Sequence, residues 1–110
     1  MNRTIVLPLP LEELEEKIGY KYKNIELLRT ALTHSSYCNE NKHSGAALSD
    51  NERLEFLGDS VLSVIVSDYL FKHYGSLKEG ELTKTRAASV CETALYALGT
   101  QLQLGSYMRF

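Results

Sequence analysis

Residues 51–74 constrain this chain more than any other stretch. Their apolar positions, Leu54, Leu57, Val61, Leu62, Ile65, Val66, Tyr69 and Leu70, recur at helical spacing in a stripe wide enough to predict a long, deeply buried helix that ends at Gly75. Both prolines, Pro8 and Pro10, lie at the front, so nothing later in the chain forbids a helix. Leu11, Leu14 and Ile18 follow the same spacing with four glutamates between them, an arrangement that suits the positive end of a helix dipole, and Gly19 stops the element. A second helix is expected over residues 24–32, with Asn24 as its N-cap and Ile25, Leu28 and Leu32 on one face. Residues 37–50 are rich in Asn and Ser, show no sustained period and read mostly as a surface loop. Past the Gly75-Ser76-Leu77 turn, residues 79–90 and 92–98 form two further predicted helices before Gly99 and Gly105 loosen the end. Alternating strand patterns are weak throughout. The expected fold class is all-α, a helical bundle.

At 110 residues and 44% hydrophobic, the chain is one domain with a single small core. Twelve Lys and Arg against fourteen Asp and Glu give a net charge of −2, which excludes a strongly basic nucleic-acid coat built on counterion release. Any nucleic-acid role must therefore come from local geometry. Cys38 and Cys91 are far apart, without a CxxC or a His at metal spacing, so neither a disulfide scaffold nor a structural zinc site is expected. No apolar run approaches the roughly 20 residues that span a bilayer, and the opening residues 1–8 are too brief for a signal peptide. The reading is a reduced, cytoplasmic protein with no membrane partner.

Chemistry concentrates in Asn51-Glu52-Arg53-Leu54-Glu55-Phe56-Leu57-Gly58-Asp59-Ser60. Glu52, Glu55 and Asp59 are spaced i, i+3, i+7 and so line one face of one helix. Two readings of this row stand side by side. A charge row is usually a solvated face, and Ser49-x-x-Glu52 matches a capping box that would give Glu52 a structural job. Against that, Asp59 is a poor interior helix former, set among Phe56, Leu57, Val61 and Leu62. If Glu55 and Asp59 are partly buried about 6 Å apart, they repel by roughly 3 kcal/mol at an effective dielectric near 20. A divalent cation reverses that sign, and magnesium prefers one or two protein carboxylates completed by water and phosphate oxygens.

The run Asn51-Glu52-Arg53-Leu54-Glu55-Phe56-Leu57-Gly58-Asp59-Ser60-Val61-Leu62 resembles the signature motif of the ribonuclease III family, almost without departure. Ile18-Gly19-Tyr20, Leu27-Leu28 and Ala31-Leu32-Thr33-His34-Ser35-Ser36-Tyr37 are similar to the family's opening helices. Glu79-Gly80-Glu81-Leu82-Thr83-Lys84-Thr85-Arg86-Ala87 is similar to its next block, and the likeness covers about residues 11–108. The resemblance implies an all-helical endonuclease domain that cuts double-stranded RNA as a homodimer. By position it makes Glu55 and Asp59 the catalytic ligands of Mg2+ (with Mn2+ as an alternative), Glu52 an auxiliary acid on the same wall, and Glu79 part of the RNA-contacting rim. It also implies metal-assisted hydrolysis, in which the cation activates and orients a water against the scissile phosphate. Since the metal supplies the positive charge, the acidic balance is no objection. Phe56 is either a core aromatic or, as the resemblance implies, a knob inserted into a partner subunit, with Gly58 allowing close approach.

Other candidates read as structural: His34 as a hydrogen-bonded histidine at a helix end, Arg53 as the partner of a neighbouring acid, Lys78, Lys84 and Arg86 as solvated charges, and Cys91 as a small core residue. The departure from the family is at the end. The family places a second acidic pair, an Asp and a Glu three residues later, on a helix well downstream of Leu104-Gly105-Ser106-Tyr107, and residues 92–110 hold no acid but Glu92. The family's double-stranded-RNA-binding domain is also outside this sequence. Residues 1–110 thus read as the N-terminal two-thirds of the endonuclease domain, inactive alone; the alternative is a non-catalytic RNA-binding or dimerisation module.

Overall fold

A computed structural model describes residues 7–43 and 48–110. The first six residues, part of the opening segment judged too short for a signal peptide, and the middle of the expected 37–50 loop lie outside the described residues. Among the described residues six helices follow in order: α1 (Leu11–Ile18), α2 (Ile25–Ala31), α3 (Ser35–Glu40), α4 (Glu52–His73), α5 (Glu79–Ser89) and α6 (Glu92–Leu102), closed by a 3-10 turn at Leu104–Tyr107. No strand occurs among the described residues, only an isolated parallel bridge between Thr33 and Arg109. None of these helices is long and apolar enough to cross a membrane.

Local chemistry sets most of these boundaries. Gly19 takes the left-handed conformation (φ 70°), and its N–H closes on the last carbonyls of α1. Asn24 caps α2 by accepting the Glu26 N–H at 3.1 Å. Helix α3 replaces the front of the expected loop. Its cap is the His34 ring, whose Nδ1 accepts the Ser36 N–H at 3.1 Å, so His34 is structural as expected. Helix α6 runs through Gly99 and stops only at Gln103 (φ 55°).

The core lies between α1, α2 and the C-terminal turn: Leu11, Leu14, Leu28, Leu32 and Tyr107, with Ile25, Leu104 and Met108 against them. Buried Glu15 accepts the Tyr22 N–H at 2.6 Å, which orders the α1–α2 connection. Helices α4 and α5 pack on each other as an arm that projects from this core, and the half-buried Arg86 donates to Ser67 Oγ at 2.9 Å across their contact. Projection makes the molecule long. Its radius of gyration is 17.3 Å, against about 13 Å for a compact chain of this size.

This architecture corrects the expected deep burial of α4. Leu70 is buried and Leu62 and Val66 are half-buried against the α5–α6 side, whereas Leu54, Leu57, Val61, Val64 and Ile65 on the opposite face are exposed. The apolar stripe of α4 is wider than its neighbours cover, and only the side that meets α5 is shielded. Cys91 is also exposed rather than in the core, at the N-cap of α6.

Candidate functional site: the acidic face of α4

Helix α4 begins at Glu52, one residue after Asn51, so Glu52 is the first helical residue and not the third, as a Ser49 capping box would need. Asp50 does the local work instead, its Oδ1 accepting the Glu52 N–H at 3.1 Å. Asn51 ties this helix start to the end of α2: its N–H donates to the Thr33 carbonyl at 2.9 Å and its Nδ2 to the Ala31 carbonyl at 3.1 Å. These contacts span about twenty residues of sequence, and no local pattern announces them.

At 100° per residue, Glu52, Glu55 and Asp59 fall within an arc of about 60°, and Phe56 sits at its edge. The structure brings all four to one open groove of about 660 Å³, bounded on its far side by Leu95 of α6. Glu52 and Phe56 also line a second cavity of about 910 Å³ that reaches Leu27 and Thr30 of α2. Glu52 and Glu55 lie in the first turn of α4, where the helix dipole favours negative charge.

All three carboxylates are exposed, which corrects the partial burial expected of Glu55 and Asp59. Water screens their repulsion, so electrostatic relief is not what argues for a cation here. Among the described residues no three His, Cys, Asp or Glu side chains converge to hold a metal. What the groove offers is hard oxygen donors one helical turn apart, open to solvent on the outer side. That donor set fits half of an octahedral divalent site, which takes one or two carboxylates and leaves its other positions to water and phosphate.

Glu79 is not part of this groove. It opens α5 beside Asp68 and Phe71, about 20 Å along α4 from Glu55. Arg53 makes no ion pair among the described residues, where the pairs are Arg29–Glu26 and Lys72–Asp68. Phe56 is 82% exposed, so the core-aromatic reading fails for this chain, and a Cβ added at Gly58 would meet nothing within 4 Å. Arg86, expected as a solvated charge, is instead half-buried and bonded to Ser67, and Asn51 carries a role that no local pattern announces, because the partners of both are distant in sequence.

The Ribonuclease-III-like family model matches residues 24–110. Ribonuclease 3 of Clostridium acetobutylicum is 57% identical over 99 residues, and that of Listeria monocytogenes 51% identical over 98. These alignments take in 90% and 89% of this chain, which spans 41% and 42% of the two relatives' lengths. The nuclease domain of ribonuclease III from Campylobacter jejuni superposes with a TM-score of 0.75 at 39% identity, over 90% of this chain and 64% of that one. That domain is described as structurally flexible in a region involved in dimer formation. A second structure of it matches equally well, at 40% identity. With its signature row on α4 and this extent of likeness, the chain belongs to the ribonuclease-III-like family.

Proposed function

We propose that residues 1–110 supply the N-terminal part of a magnesium-dependent endonuclease domain that cuts double-stranded RNA as a homodimer in the cytoplasm. One observation carries the reading: in a member of this family, Glu52, Glu55 and Asp59 share a groove on α4 with an exposed Phe56. Glu55 and Asp59 would hold the cation from the protein side. When bound, Mg2+ or Mn2+ supplies a lowered pKa for a coordinated water and charge stabilisation at the scissile phosphate. The chain's own contribution is to orient. Helix α4 presents both carboxylates from adjacent turns, Glu52 extends the negative wall beside them, and the open outer side leaves room for a phosphodiester. Phe56 and the bare face of α4 serve the partner subunit, and Glu79, at the far end of the arm, belongs to the rim along which an RNA duplex would lie. Two carboxylates are a weak hold on magnesium, so the segment alone is inactive on this reading.

The test is Glu55→Gln and Asp59→Asn in the complete nuclease that carries this segment. Each variant should lose cleavage of duplex RNA in magnesium while retaining it in a gel shift. Undiminished cleavage would refute the assignment. The exposure of Glu52, Glu55 and Asp59, as in a solvated charge row, favours a second reading, a non-catalytic RNA-binding or dimerisation module. That reading predicts RNA retention with no turnover by the unsubstituted protein at any magnesium or manganese concentration.

A further inference from the structure

Residues 31–34 are hydrogen-bonded on two sides. On one side, the Arg109 N–H donates to the Leu32 carbonyl at 2.8 Å, the His34 N–H donates to the Arg109 carbonyl at 2.8 Å, and Arg109 Nε donates to Thr33 Oγ1 at 3.0 Å. On the other, Asn51 makes both of its bonds, N–H to Thr33 and side-chain amide to Ala31. A carbonyl only accepts, so the Ala31 contact fixes which end of the amide faces it. The Asn51 carbonyl in turn accepts the Glu55 N–H at 2.8 Å, the first rung of α4. Thr33 is fully buried, which shields this junction from water.

Packing does little of this job. Among the described residues none of residues 52–61 is buried, and the most covered large apolar side chain of these first three turns, Leu54, is still 36% exposed. Their direction is set where the helix leaves residues 31–34. The leverage is large: Asp59 lies about 12 Å along the axis from Asn51, so a tilt of about 10° there moves it by about 2 Å. Misplacement of even 1 Å costs a preorganised site about a hundredfold.

We infer that Asn51 is the positioning residue of the acidic face. Its side-chain amide and N–H, each on one carbonyl, set the angle at which α4 departs and hence the place of Glu52, Glu55 and Asp59. The consequence for metal binding rests on the proposed role of Glu55 and Asp59; the positioning itself does not.

Asn51→Ala removes the donor. Asn51→Asp removes it at constant size while introducing a negative charge that the helix N-terminus favours, which separates positioning from helix initiation. Arg86→Leu, which breaks the α5–α4 bond elsewhere, is the control for general destabilisation. Amide hydrogen exchange and Mn2+ line broadening, both by NMR on the nuclease domain that includes residues 1–110, are the readouts. Both Asn51 variants should exchange the Glu55 amide about tenfold faster while the α1 and α2 amides keep their rates. Both should also need about tenfold more Mn2+ to broaden Glu55 and Asp59, and Arg86→Leu should change neither. Unchanged exchange at Glu55 in both variants overturns the inference, as does an equal loss of Mn2+ response in Arg86→Leu. If the unsubstituted chain shows no Mn2+ broadening, the metal reading of α4 falls, and the exchange result alone decides the role of Asn51.

Discussion

Phe56→Ala separates self-association from folding, because so little of this side chain touches its own protomer. A phenylalanine carries about 150–250 Å² of surface. With 82% of it exposed, about 160 Å² is available to a partner, worth about 4 kcal/mol at ~25 cal/mol per Å². In a twofold dimer the contact occurs twice, which sets a ceiling near 8 kcal/mol. Truncations at buried interface anchors run at about 2–4 kcal/mol each, so a combined loss of at least about 4 kcal/mol, a thousandfold in Kd, is expected. The fifth of the side chain already covered contributes about 1 kcal/mol to folding, a few degrees in Tm. Sedimentation equilibrium of the nuclease domain that includes residues 1–110, paired with thermal melts at monomer concentrations, reads both quantities. A Kd that moves less than about tenfold, or a Tm that falls by more than about 10 °C, would refute the reasoning.

Two further outcomes test the fold. Leu14, 2% exposed at the centre of the core, should cost about 3 kcal/mol on truncation to Ala and lower Tm by about 15 °C, measured by urea and thermal unfolding. Gly19→Ala should cost about 1–2 kcal/mol, since a Cβ there meets nothing within 4 Å and the whole penalty is the left-handed backbone; a neutral melt would show that α1 ends differently.

Local signals were legible and distant ones were not. Gly19 and Asn24 bound their helices as read, since each acts through its own backbone or side chain within four residues. Helix α4 matches the expected 51–74 segment to within a residue, and the acidic row stands on one face because that follows from the helical period alone. Helix α3 escaped detection because six residues carry no apolar period and its cap is an imidazole, outside the usual Ser, Thr, Asp and Asn set. Gly99 looks like a breaker in sequence, yet it sits within α6 where a Cβ would lie 3.7 Å from Leu104, in ordinary contact. Burial departs from the expectation for a physical reason: periodicity reports which residues seek cover, and residues 7–43 and 48–110 cover only the α5–α6 side of α4. The Arg109–Thr33 tie, 76 residues apart, and the Asn51 contacts have no local signature at all.

The claim beneath the account is that Glu55 and Asp59 jointly hold one divalent ion. Anomalous diffraction from crystals of the complete nuclease domain grown in manganese tests it most directly. The account predicts a single peak within about 2.0–2.3 Å of an oxygen of each carboxylate. No peak, with the two side chains turned apart into solvent, would contradict it.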